Sequence, residues 1–231
     1  MALERLAIFD LDGTLTRTMG VDGRCYVRAC REVLELSEVS DDWALYRHTT
    51  DEGIARELAE RHLGRETSAD EMEALRRRFV ELLRVELDAD AQVFAPVPGA
   101  REVLAVLPHR GWAVVIATGA WEASARLKLE AAGLPEDLPL ATSDGRPERY
   151  TIARHAIRLA RERHQVGGFS EMVVLGDAVW DIRAADELGV PFVGVDAEGG
   201  GEALRKAGAV RILHDYLDVD RVLTSLARPY G

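Results

Sequence analysis

The stretch Leu6-Ala7-Ile8-Phe9-Asp10-Leu11-Asp12-Gly13-Thr14-Leu15-Thr16 decides the fold and points at the chemistry. Four apolar residues in a row near the N-terminus spell a strand buried on both faces, as in a parallel sheet. Two carboxylates follow at i and i+2. Side chains alternate along a strand, so Asp10 and Asp12 leave its end on the same side. Two anions that close repel each other unless a cation sits between them. A plain acidic turn would also use Asp and Gly, so the rest of the chain must discriminate.

Outward from this strand the pattern splits. From Val21 to about Asp90 the periodicity is helical only, over Arg24 to Leu36, Glu52 to Leu63 and Ala69 to Leu87. Thr50-Asp51 and Ser68 stand where N-caps belong. Pro96-Val97-Pro98-Gly99 then punctuates the chain. After it, helices and strands alternate. Strands are expected at 112–117, 138–142, 172–175, 191–195 and 210–213, and helices at 100–110, 120–132, 148–163, 180–188 and 215–226, with Gly133 closing one of them. This predicts an α/β protein with a doubly wound, Rossmann-like parallel sheet. The core comprises 1–16 and 95–231, and an all-helical insert, 17–94, interrupts it after the first strand.

At 231 residues there is room for one large domain, or a core with a smaller insertion. The formal net charge of −11 argues against nucleic acid and anionic membranes as partners, since both need a basic face. A small anionic substrate stays compatible, because a cation and backbone amides can reverse the potential inside one pocket. The first strand begins too early for a signal peptide, and no apolar stretch approaches membrane-spanning length. Cys25 and Cys30, at a spacing that fits no metal motif, suggest a reduced, cytoplasmic protein.

Two further strand ends carry polar groups. Trp112–Ala117 runs into Thr118-Gly119, a hydroxyl and a small residue before a helix, which suits phosphate but also an ordinary cap. Met172–Leu175 runs into Gly176-Asp177-Ala178-Val179-Trp180-Asp181. Asp177 and Asp181 are four apart at a helix start and share one face. Such a pair could merely complement the helix dipole, for a few tenths of a kcal/mol, whereas converging carboxylates suit Mg²⁺.

Phe-Asp-Leu-Asp-Gly-Thr-Leu-Thr, Thr118 at its strand end and the GDxxxD string together resemble the haloacid dehalogenase superfamily, in its phosphatase branch with a helical cap. The resemblance spans the chain and implies a Mg²⁺-dependent phosphate monoester hydrolase working through an aspartyl-phosphate. It makes Asp10 the nucleophile and Asp12 the general acid/base, and it sets Thr118 and Gly119 at the phosphate. Asp10, Asp12, Asp177 and Asp181 become the metal site, with Asp181 acting directly or through a water. The dehalogenases lack the second carboxylate, so Asp12 argues against halide chemistry.

The family's third motif is a Lys or Arg near the helix before the fourth-motif strand. No lysine lies there; Arg149 is assigned, with Arg146 as alternative. Lys128, in the preceding helix, reads as a solvated side chain. A phosphomutase, or an idle binding protein on the same fold, would show the same motifs. A phosphonate hydrolase would need an insert lysine, and residues 17–95 contain none. The expected partner is a small phosphorylated substrate, bound by a monomer or homodimer. Arg17 and Arg24 are candidate anchors for a second anionic group such as a carboxylate, which would suit phosphoglycolate. Thr49-Thr50-Asp51-Glu52-Gly53 is either a specificity loop facing the core or an ordinary cap.

Overall fold

Arg5–Phe9 forms β1, and every residue in it after Arg5 is buried, as helices on both faces of a strand require. The computed structural model describes residues 5–199 and 201–227. After β1 come α1 (Met19–Val33), α2 (Asp51–Leu63), α3 (Ala69–Ala89), α4 (Ala100–His109), β2 (Trp112–Ala117), α5 (Glu122–Ala131) and β3 (Leu140–Ala141). Then follow α6 (Arg149–His164), β4 (Glu171–Gly176), α7 (Val179–Leu188), β5 (Phe192–Val195), α8 (Gly201–Lys206), β6 (Ile212–Leu213) and α9 (Val219–Leu226). No helix among the described residues is long and apolar enough to cross a membrane.

The strands form one parallel sheet in the order β3-β2-β1-β4-β5-β6. The chain builds outward from β1 on one side and then on the other, so the order reverses between β1 and β4. Ligands of open α/β sheets bind in the crevice at such a reversal. Phe9 pairs with both Ile116 and Leu175. The residues that follow, Asp10, Thr118 and Asp177, therefore emerge together at one edge.

Alternation along β1 feeds two apolar layers. Ala7 and Phe9 pack with Val103, Leu107, Ala125 and Leu129, while Leu6 and Ile8 pack with Ile152, Ala156, Ala160 and Ala185. The helices between β1 and α4 have a core of their own, built on Tyr26, Cys30, Leu58, Leu75, Phe79 and Leu83. Tyr26 meets Phe79 edge-to-face at 5.5 Å. Trp121 joins this cluster from the start of α5, so α5 serves both cores. The two chain crossings into these helices lie side by side: Arg17 N donates to Ala95 O and Val97 N to Leu15 O, both at 2.9 Å.

The expected elements are all present, with shifted ends. Thr50 caps α2 by accepting from Gly53 N, and Ser68 and Glu71 close a capping box on α3. The first helix starts at Met19 rather than Arg24, because Gly20 and Gly23 weaken the sequence signal there. It stops before Leu36, with Glu35 at φ 54°. The last helix starts at Val219, where the Asp218 side chain accepts from Arg221 N. The six residues of α8 are too few to show a period and were not anticipated.

Tyr216, fully buried, ties the far end of the chain to the loop after β1. Its hydroxyl donates to Thr14 O at 2.9 Å and its ring meets Phe9 edge-on. Tyr216→Phe leaves that carbonyl without this partner and should destabilise the fold by about 1–2 kcal/mol. Urea unfolding should show a lower midpoint at unchanged slope; an unchanged midpoint would mean that the bond contributes nothing.

Candidate active site

Asp10 follows β1 directly, with its N–H on Leu175 O at 2.9 Å, and is almost fully buried. The chain then turns sharply: Gly13 takes φ +77° and donates to Thr16 O at 2.8 Å. A Cβ on Gly13 would run into the Asp177 carboxylate, so only glycine fits. Thr118 leaves β2 with its N–H on Ala141 O, and its Oγ1 accepts from Ala120 N at 3.1 Å. Asp177 leaves β4. Asp181, in the first turn of α7, accepts from Ala178 N at 3.2 Å, which orients its carboxylate toward the sheet edge.

Arg149 opens α6, and its Nη1 donates to Asp10 Oδ1 at 2.9 Å and Asp181 Oδ1 at 3.2 Å. Gly119 makes room for it, since a Cβ there would lie 2.7 Å from Arg149 Nη2. Arg146 instead donates to Asp144 O. Of the two arginines considered, Arg149 is the one at the acid cluster.

Asp10, Asp177 and Asp181 offer carboxylate oxygens that all lie within 4.8 Å of one another. Burial, then Asp181 and Asp12, push the Asp10 carboxyl up to about 8, against the downward pull of Arg149. Burial and the neighbouring acids raise Asp177 well above the ordinary range, and burial raises Asp181 despite Arg149. One guanidinium does not neutralise three crowded carboxylates. A hard divalent cation fits this donor set. The resemblance also puts Asp12 among the metal ligands, but its carboxylate lies outside the cluster, because other partners take both of its oxygens.

Those partners include the residue that sequence reasoning misplaced. Lys128 is not solvated; its side chain is 0% exposed. Its Nζ lies 2.8 Å from each Asp12 oxygen and also pairs with Asp22 of α1, while Thr18 Oγ1 donates to Asp12 Oδ1. Burial acts to lower the Lys128 pKa, but Asp12, Asp22 and Asp51 hold it above its ordinary value. Burial pushes Asp22 up to about 6 even so. A lysine on a helix that reads as amphipathic gives no sign of this. The available signal was its rarity, as one of two lysines in the chain.

The cavity at the sheet edge has a volume of about 50 Å³ and is lined by Asp10, Asp12, Thr118, Gly119, Arg149 and Asp177. The helical segment closes it with Met19, Asp22, Tyr26, Trp43, Ile54 and the 49–51 loop. That loop is both a cap and a facing loop. Thr50 Oγ1 also donates to Pro147 O, Asp51 N donates to Gly119 O, and Arg149 Nε donates to Thr49 O. Arg17 and Arg24, the candidate carboxylate anchors, do not line it. Both are exposed, and Arg24 is engaged with Gly20 O and Glu86.

A family model for haloacid dehalogenase-like hydrolases matches residues 4–189. The chain belongs to that family. It is 31% identical over 224 residues to a phosphoglycolate phosphatase of Caulobacter vibrioides, covering 94% of this chain and 90% of the relative. A phosphoglycolate phosphatase of Agrobacterium fabrum is 31% identical over 197 residues, covering 84% and 81%. The fold matches a hydrolase from Pseudomonas syringae with a TM-score of 0.71 at 23% identity, over 96% of this chain and 99% of that one.

Two tests address the charges of this haloacid dehalogenase-like hydrolase. Lys128→Met strands Asp12 and Asp22 in a buried setting and should cost about 3–5 kcal/mol of stability at neutral pH. Asp22→Asn added to it should restore part, and a loss below about 1 kcal/mol in the single variant would contradict the pairing. The second test is pH. Asp10 is held near 8 when folded against an ordinary 3.8, so the folded state binds its proton more tightly than the unfolded chain. That stabilisation is full below the lower value and disappears as pH rises through the higher one. In chelator, stability should fall between pH 5 and 8, and Mg²⁺ should raise Tm more at pH 8 than at pH 5. An equal rise at both would remove the cluster as the metal site.

Proposed function

We propose that this chain hydrolyses a small phosphate monoester, with Asp10 as nucleophile and Asp12 as general acid/base. The observation that carries the reading is the meeting of Asp10, Asp177 and Asp181 with Arg149 at the sheet reversal, beside Thr118. Asp10, Asp177 and Asp181 would hold Mg²⁺, which supplies charge neutralisation for the phosphoryl oxygens. Arg149 lowers the repulsion between Asp10 and the dianionic ester, and Thr118 with nearby amides binds phosphoryl oxygens.

Asp10 attacks phosphorus, the P–O bond to the alcohol breaks, and Asp12 gives its proton to the departing oxygen. Water, losing a proton to Asp12, then attacks the aspartyl-phosphate and releases phosphate and the Asp10 carboxylate. Thr18 and Lys128 hold Asp12 still for both transfers. Residues 17–94 act as a cap over a core of 1–16 and 95–231 and exclude water from the reaction. Both cysteines are free and buried, which accords with a reducing cytoplasm.

The decisive measurement is phosphate release from p-nitrophenyl phosphate in Mg²⁺. Asp10→Asn should fold and show no measurable turnover, because the amide is not a nucleophile. Arg149→Ala should lose about a hundredfold in rate and Arg146→Ala little. Asp10→Asn at near wild-type rate would sink the mechanism.

A further inference from the structure

The relatives' named substrate carries a carboxylate on the carbon next to the ester. Among the described residues that line the cavity the one cation is Arg149, already bound to Asp10 and Asp181. On the side lined by the helical segment the charged groups are Asp22 and Asp51, facing Asp12 of the core. The remaining lining there is Met19, Tyr26, Trp43 and Ile54, with Thr49 and Thr50. The cations within reach are already committed. Arg149 is bound to Asp10, Asp181 and Thr49 O, and the ammonium of Lys128 is held by Asp12 and Asp22 with Asp51 close by. Leaving Asp51 aside, one ammonium still faces two carboxylates, Asp12 and Asp22. Neither Arg17 nor Arg24 lines the cavity: Arg24 is engaged with Gly20 O and Glu86, and the charge of Arg17 acts on the Glu198 carboxyl.

We propose that the alcohol portion of the substrate carries no negative charge, so that the site takes phosphate esters of small alcohols with hydroxyl or ammonium donors and rejects carboxylates. The inference rests on the phosphatase reading and sharpens it. A carboxylate placed between Asp22 and Asp51 would be repelled at short range in a water-poor pocket, with no counter-ion to offset it. A donor group placed there meets acceptor oxygens instead, and an ammonium also gains from their charge.

The test uses three esters of nearly equal length: phosphoglycolate, ethylene glycol monophosphate and phosphoethanolamine. With wild-type protein and Mg²⁺, kcat/KM for the hydroxyl and ammonium esters should exceed that for phosphoglycolate by at least about tenfold. Asp22→Asn should narrow the gap, chiefly by improving phosphoglycolate. A further advantage of phosphoethanolamine over the glycol ester assigns the donor as an ammonium; parity assigns it as a hydroxyl. Phosphoglycolate turned over as well as the other two, or better, overturns the inference. Dissociation constants of the three esters on Asp10→Asn, by calorimetry in Mg²⁺, keep the two ideas apart. If neither these esters nor p-nitrophenyl phosphate is hydrolysed the phosphatase reading fails, while the order of affinities still decides the charge preference. Tightest binding of phosphoglycolate, or binding of none at millimolar concentration, overturns it.

Discussion

Buried charge is the constraint on which the rest of this structure depends. Six carboxylates, Asp10, Asp12, Asp22, Asp51, Asp177 and Asp181, gather around two cations, Arg149 and Lys128. Removing such groups from water costs several kcal/mol each unless partners are close and well aligned. Close partners require close backbones. That explains the glycines at the strand ends: a side chain at Gly13 would strike Asp177, one at Gly119 would strike Arg149, and one at Gly176 would come within 2.5 Å of Asp181 Cβ. The apolar layers fix the sheet, and the sheet fixes the edge. The electrostatics then decides which residue types can stand there.

The parts of this arrangement that depend on local sequence were legible. An uninterrupted apolar run gives β1, and strand geometry brings Asp10 to the edge. The four-residue spacing of Asp177 and Asp181 carries through into one acid cluster with Asp10. Even Arg149 could be picked from its place at a helix start. What could not be read was whatever depends on a second layer of helices. On α5, Lys128 lies on a face that would be solvent-exposed in a bare α/β core. Here that face is covered by α3, with Phe79 beneath the ammonium, and by α1, which delivers Asp22. The same covering explains why Arg24 does not reach the cavity. Arg24 shares a helix with Asp22 but lies on its outer face, bound to Glu86 of α3.

The two cations also join the core to the helical segment. Lys128, from the core, bridges Asp12 of the core to Asp22 of α1. Arg149, also from the core, holds Asp10 and Asp181 through Nη1 while Nε donates to the Thr49 carbonyl across the seam. Asp51 adds a third link, accepting from Trp121 N while its own N–H donates to Gly119 O. Every one of these bonds involves a residue of the cavity wall or the next residue along the chain. Moving the helical segment away would strip Asp22 from Lys128 and Thr49 from Arg149 together, while Asp12 would still hold Lys128 and Asp10 and Asp181 would still hold Arg149. The same two side chains therefore carry both the charge balance of the cavity and its attachment to the helical segment, so neither can be replaced without disturbing the other.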